Sequence, residues 1–214
     1  MNIKKLLNFS DLKKLITAVF WLSLLFSPLP AFAKTIMILG DSLSAGYGMN
    51  AQDGWVNLLQ NRLNQQYPKK HRVVNASVSG ETTSGALARL PKLLQTHRPE
   101  IVVIELGGND GLRGQPPQMI QKNLAQLVQL SQKSKATVLL FGMKIPPNYG
   151  TAYSQAFEKN YQIVSQQYKV KLLPFFMEGV AGHKKLMQSD QIHPNRQAQP
   201  ILLNNAYPLI KGAL

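Results

Sequence analysis

Four polar blocks in the sequence hold residue types that together could transfer an acyl group. In Gly40-Asp41-Ser42-Leu43-Ser44, Ser42 stands where an apolar run meets a turn, a position for a nucleophile. Ser189-Asp190-Gln191-Ile192-His193-Pro194 places Asp190 three residues before His193. One short turn can point both side chains the same way. The carboxylate then accepts from one imidazole nitrogen, and the other nitrogen takes the proton of Ser42. An attacked carbonyl also needs donors waiting for its negative oxygen, and a loop glycine N–H with an Asn amide is a suitable pair. Ser79-Gly80-Glu81-Thr82 and Gly107-Gly108-Asn109-Asp110 supply those types.

Each block alone has an ordinary explanation. Asp41 or Ser42 can simply cap a helix or turn, Gly80 and Asn109-Asp110-Gly111 can simply make turns, and His193 can be a loop residue at a helix entry. The conjunction carries the chemistry. Gly40-Asp41-Ser42-Leu43-Ser44 lacks the second glycine of G-x-S-x-G and comes at the first strand, which argues against an α/β-hydrolase nucleophile elbow. His71, His97 and His183 lack a comparable setting: His97 follows a helix beside Arg98, and the other two lie in basic stretches expected to be exposed. No two histidines have metal-ligand spacing and the chain has no cysteine, so neither a metal site, a disulfide nor a thiol nucleophile is expected.

The elements that must position these blocks are legible as alternating patterns. Short apolar runs at Thr35–Leu39, Val73–Asn75, Ile101–Leu106, Thr137–Phe141 and Val170–Leu173 are mostly continuous, as in parallel strands covered on both faces. Between them, Trp55–Gln66, Thr83–Thr96, Pro117–Lys133 and Tyr153–Tyr168 carry apolar residues three and four apart, one stripe of a helix each. A last helix is expected to start at Pro194 and run towards Tyr207, and Pro91 is expected to kink the second. Repeated β-α-β units give a three-layer α/β/α domain on a five-stranded parallel sheet, whose site lies beyond the carboxyl ends of the strands. Ser42, Gly80 and Asn109 all fall at that edge.

The 214 residues, 44% apolar and 16% charged, suit one globular domain rather than a disordered or multi-span membrane chain. Lys4, Lys5, Lys13 and Lys14 precede an apolar run from Leu15 to Phe26, which is followed by two prolines and Ala31-Phe32-Ala33. This is the pattern of a secretory signal peptide over residues 1–33. Cleavage after Ala33 would remove those four lysines and Asp11, leaving residues 34–214 as the domain, 181 residues with a net charge of +11 against +14 for the whole chain. A periplasmic or secreted bacterial location follows. No basic stripe interleaved with aromatics marks a nucleic-acid partner; the basic charge is compatible with loose peripheral attraction to anionic membrane head groups.

The four blocks in this order resemble those of the SGNH (GDSL) hydrolases, and the similarity covers essentially the whole of residues 34–214. The resemblance implies a flavodoxin-like SGNH fold, with Ser42 as nucleophile, His193 as base and then acid, and Asp190 as its orienting partner. It further implies an oxyanion hole of the Ser42 N–H, the Gly80 N–H and the Asn109 amide, no cofactor, and hydrolysis of small-molecule carboxylic esters and thioesters with thioesterase, lysophospholipase and arylesterase activities. The loop Gly111–Pro116 and the segment Ile145–Gly150 match parts that line the acyl site in the family, and Leu112, Ile145, Pro146 and Ile192 are candidate acyl contacts; ordinary loop and core packing explains them equally well. The enzyme is expected to be a monomer. A carbohydrate O-acetylesterase would use the same blocks, and a non-enzymatic binding module could share the sheet.

Overall fold

The computed structural model describes residues 33–214; the signal-peptide reading and all but the last residue of its span lie outside the described residues. Five strands, β1 (Thr35–Gly40), β2 (Arg72–Asn75), β3 (Ile101–Glu105), β4 (Thr137–Phe141) and β5 (Lys171–Leu173), form one parallel sheet in the order β2-β1-β3-β4-β5. This is the doubly wound, flavodoxin-like order. Ile36 pairs with Val73 on one side and Ile101 on the other, so β1 is central. Every residue from Ile36 to Leu39 and from Ile101 to Ile104 is fully buried, which explains why these strands are apolar throughout rather than alternating.

The helices are α1 (Ser42–Ala45), α2 (Trp55–Gln66), α3 (Thr83–His97), α4 (Gly108–Leu112), α5 (Pro117–Lys133), α6 (Thr151–Tyr168) and α7 (Gln199–Lys211). Helices α2 and α7 pack together on one face of the sheet, and α3, α5 and α6 pack in sequence on the other. Their apolar stripes point inward as the spacing requires: Trp55, Leu59 and Leu63 on α2, Ile120, Leu124 and Leu127 on α5, and Phe157, Tyr161 and Val164 on α6 are buried.

Three expectations need correction. The last α-helix starts at Gln199, not Pro194. Pro194 instead forms an isolated antiparallel bridge with Met187, a single 3₁₀ turn occupies Arg196–Ala198, and Pro200 takes the first-turn position suited to a residue without an N–H. Helix α6 begins two residues before Tyr153, at Thr151, behind Gly150. His71 is buried, not exposed: its Nδ1 accepts from the Lys34 backbone N–H at 3.3 Å and its ring meets Tyr67 edge-on. Burial, and then Lys70 and Lys34, hold it below the usual imidazole range. Pro91 lies inside α3, which continues to His97.

Candidate active site

Each strand delivers residues to one edge of the sheet through the loop at its carboxyl end. Immediately after β1, Asp41 caps α1 by accepting the Leu43 N–H at 3.0 Å, and Ser42 opens that helix. The loop after β3 leads through Gly107 into α4, which carries Asn109. Asn109 donates from Nδ2 to Asp41 Oδ2 at 3.0 Å, so one of its two amide hydrogens is held there and the second is left for another acceptor. The loop after β2 contains Gly80, whose φ of +77° is a left-handed conformation that favours glycine. Among the described residues, neither the Ser42 N–H nor the Gly80 N–H donates to a protein acceptor.

From the far end of the chain, the turn before α7 completes the cluster. His193 Nε2 lies 2.9 Å from Ser42 Oγ, and His193 Nδ1 lies 2.7 Å from Asp190 Oδ2. The other oxygen of Asp190 accepts the backbone N–H groups of Ile192 and His193, at 2.9 and 3.0 Å. Those two amides explain why an Asp three residues before a His can serve it, since they pull the carboxylate back over its own turn. Closing that turn puts Gln191 in a left-handed conformation at φ +57°, at a cost of roughly 1–2 kcal/mol for a residue with a Cβ. The backbone and side-chain hydrogen bonds from His193 hold the Asp190 carboxyl down at about 2. It is therefore ionised throughout the neutral range, the state needed beside an imidazole that gains a proton. Tyr47 covers the imidazole, with ring centroids 4.5 Å apart.

Beneath Ser42 lies a buried acidic pair. Asp41 is 2% exposed, and burial raises its carboxyl to about 6 against the opposing pull of the Leu43 N–H and the Asn109 amide. Glu105, the last residue of β3 and fully buried, accepts from Ser44 Oγ at 2.6 Å, and Ser44 Oγ in turn accepts from Trp55 Nε1 at 3.2 Å. Burial and then the charge of Asp41 push the Glu105 carboxyl well above the usual carboxylate range.

Ser42, Asn109 and His193 open onto a cavity of about 640 Å³. Leu112, Ile145, Pro146 and Ile192 all line it; Gly80 does not. Sequence reading missed other apolar walls, notably Phe175 and Met177 beyond β5 and Met143 beyond β4. Their signal was positional, as apolar residues immediately past the carboxyl ends of strands. No group of three or more His, Cys, Asp or Glu residues that could hold a metal ion occurs among the described residues.

Comparison with known proteins agrees with this geometry. Residues 38–199 match the GDSL-like Lipase/Acylhydrolase family. The chain is 51% identical over 184 residues to Esterase TesA of Pseudomonas aeruginosa, covering 86% of this chain and 91% of the relative. It is 49% identical over 172 residues to the thioesterase 1/protease 1/lysophospholipase L1 of Escherichia coli K12, covering 80% and 81%. A crystal structure of TesA superimposes with a TM-score of 0.82 at 51% identity, over 85% of this chain and all of the other. On its blocks, its fold and these relatives, the chain belongs to the GDSL-like lipase/acylhydrolase family, the SGNH hydrolases, and is a serine ester hydrolase.

Proposed function

We propose that this protein hydrolyses esters and thioesters of apolar acyl groups through an acyl-enzyme on Ser42. The observation that carries the reading is the hydrogen-bonded relay Asp190–His193–Ser42, at 2.7 and 2.9 Å, opening onto a largely apolar cavity. His193 Nε2 takes the hydroxyl proton as Ser42 Oγ attacks the carbonyl carbon, while Asp190 holds Nδ1–H and stabilises the imidazolium. The tetrahedral oxyanion is met by the Ser42 N–H, the Gly80 N–H and the free hydrogen of Asn109 Nδ2. Collapse expels an alkoxide or thiolate, which His193 protonates. Water then attacks the acyl-serine with His193 again as base, releasing the carboxylic acid and restoring Ser42.

A volume of about 640 Å³ lies within the range of roughly 300–1,000 Å³ usual for sites that enclose small organic ligands, and an acetyl group would leave most of it empty. Leu112, Ile145, Pro146 and Ile192 offer an acyl chain apolar contact, which favours the acyl-ester reading over a carbohydrate O-acetylesterase. The relatives' names, esterase and thioesterase 1/protease 1/lysophospholipase L1, suggest the same leaving-group breadth: alcohol, thiol and lysophospholipid head group. We further propose that residues 1–33 direct export to the periplasm or exterior and that the enzyme works as a monomer close to anionic membrane surfaces.

The test is a series of ester, thioester and lysophospholipid substrates from acetyl to long acyl, run on the wild type and on Ser42→Ala. Ser42→Ala should lose all hydrolysis and all labelling by a serine-directed phosphonate, and kcat/KM should rise with chain length beyond acetyl. A strict acetyl preference, or activity that survives in Ser42→Ala, overturns the reading.

A further inference from the structure

Two of the three oxyanion donors proposed above sit on different loops, and their mutual placement needs a cause. Gly80 lies on the exposed loop between β2 and α3, and Asn109 lies on α4 after β3. Three residues after Gly80, Thr83 is the first residue of α3, so its backbone N–H has no partner within its own helix. One residue after Asn109, Asp110 reaches across. Its Oδ2 accepts the Thr83 N–H at 2.9 Å and its Oδ1 accepts the Thr83 hydroxyl at 2.6 Å. Both residues are buried, Thr83 completely and Asp110 to 3% exposure. Asn123 on α5 donates to Thr83 Oγ1 at 3.0 Å and so fixes which way the hydroxyl points.

A second strut runs parallel to the first. Arg113, the residue that ends α4, donates from Nη2 to the Gly80 carbonyl at 3.1 Å. The peptide that ends in the Gly80 carbonyl and the residue that opens α3 are thus both held from α4, the helix that carries Asn109. A carboxylate at the start of α3 also meets the positive end of that helix, which strengthens the grip.

We propose that Asp110, through its two-oxygen grip on Thr83, is a positioning residue that sets the Gly80 loop against Asn109 and so assembles the oxyanion hole. The proposal rests on Gly80 and Asn109 being oxyanion donors. A donor is effective only when its hydrogen waits where the oxyanion forms, and a displacement near 1 Å costs about 100-fold in rate. Loss of the grip lets the Gly80 loop move relative to Asn109 while the cavity that binds the acyl chain, which Thr83 and Asp110 do not line, stays as it is.

Thr83→Val, Thr83→Ser, Asp110→Asn and Asn109→Ala are compared by kcat and KM on p-nitrophenyl butyrate, per molecule folded by near-UV circular dichroism. Thr83→Val removes the hydroxyl bond and keeps the shape; Thr83→Ser keeps the bond. The expected result is a fall in kcat of about 10- to 100-fold in Thr83→Val and Asp110→Asn with KM nearly unchanged, and a return to near wild type in Thr83→Ser. Amide hydrogen exchange at Gly80 and Glu81 should quicken in Thr83→Val. If Asp110→Asn does not fold, the Thr83 pair decides alone. A lower melting temperature with kcat unchanged in Thr83→Val makes the contact merely structural and overturns the proposal, provided Asn109→Ala has lost its activity. An unaffected Asn109→Ala overturns the oxyanion assignment itself.

Discussion

Asp41, buried beside Ser42 and hydrogen-bonded to Asn109, is the carboxyl through which pH should reach this site. Its carboxyl is raised to about 6 in the folded chain, from an ordinary 3.8. Between those values the folded state binds more protons than the unfolded one, so this group lowers stability as pH rises from 3.8 to about 6 and leaves a constant penalty above. Asp41→Asn keeps an oxygen to accept the Leu43 N–H, and Asn caps helices as well as Asp does. It removes the titration. The stability of the variant relative to wild type should therefore rise from about pH 4 to about pH 6 and stay level above, as read from urea unfolding midpoints across that range. Activity should change as well. An amide at position 41 with its oxygen on Leu43 turns its NH₂ group towards the Asn109 NH₂, two donors facing each other, so Asn109 loses its anchor and kcat should fall by about tenfold or more. A variant whose stability relative to wild type is the same at every pH and whose kcat is unchanged would show that Asp41 neither titrates in this range nor orients Asn109.

At the scale of elements, the sheet was open to sequence reading because parallel strands buried on both faces need continuous apolar runs, as the inner strands β1, β3 and β4 show, while the edge strands β2 and β5 are shorter and partly exposed. The helix stripes were equally clear. What periodicity could not reach were the pieces without a period: α1 and α4, each about one turn, and the bridge between Met187 and Pro194. Proline at 194 looked like a helix start because the same residue type serves both; only the pairing partner distinguishes them. The four polar blocks were legible as chemistry, but Asp41 looked like a simple cap because its contact with Asn109 spans 68 residues of sequence. The cavity wall after β5 depends on an equally hidden feature. Gly142, next after β4, donates to the Leu173 carbonyl at 2.7 Å, and its own carbonyl accepts the Phe176 N–H at 2.9 Å. A Cβ there would run into the carbonyl of Pro174. Backbone cannot give way as a flexible side chain does, so Gly142→Ala must push the Pro174–Met177 segment away from β4. Stability should drop by roughly 1–3 kcal/mol in denaturant unfolding, and KM for long acyl esters should rise more than for acetyl esters, because Phe175 and Met177 move with the wall. Equal KM changes along the chain-length series would separate the wall from substrate binding.

For the whole molecule, the excess of 24 Lys and Arg over 10 Asp and Glu asks for a physical consequence that the site itself does not use. The apolar residues at the mouth supply the other half of the argument. Ile192 lines the cavity and is 48% exposed, and Tyr47, tilted against the His193 ring, is 51% exposed. Such side chains meet water in the free enzyme and would meet lipid if the protein lay against a bilayer surface. On the proposal that the protein works close to an anionic surface, charge would act at long range and a few apolar contacts at short range. No helix among the described residues is long and apolar enough to cross a membrane. The attraction is worth about 1 kcal/mol for each Lys or Arg close to the surface, and it falls off over a Debye length of about 10 Å at 0.1 M salt and 3 Å at 1 M. The protein should therefore sediment with vesicles containing phosphatidylglycerol at low ionic strength, release in about 1 M NaCl, and ignore phosphatidylcholine vesicles throughout. If Ile192 is the short-range contact, Ile192→Ser should weaken retention at intermediate salt without changing the salt dependence, since it removes apolar area and no charge. Binding that resists salt, or none at low salt, would mean that the basic excess serves solubility alone.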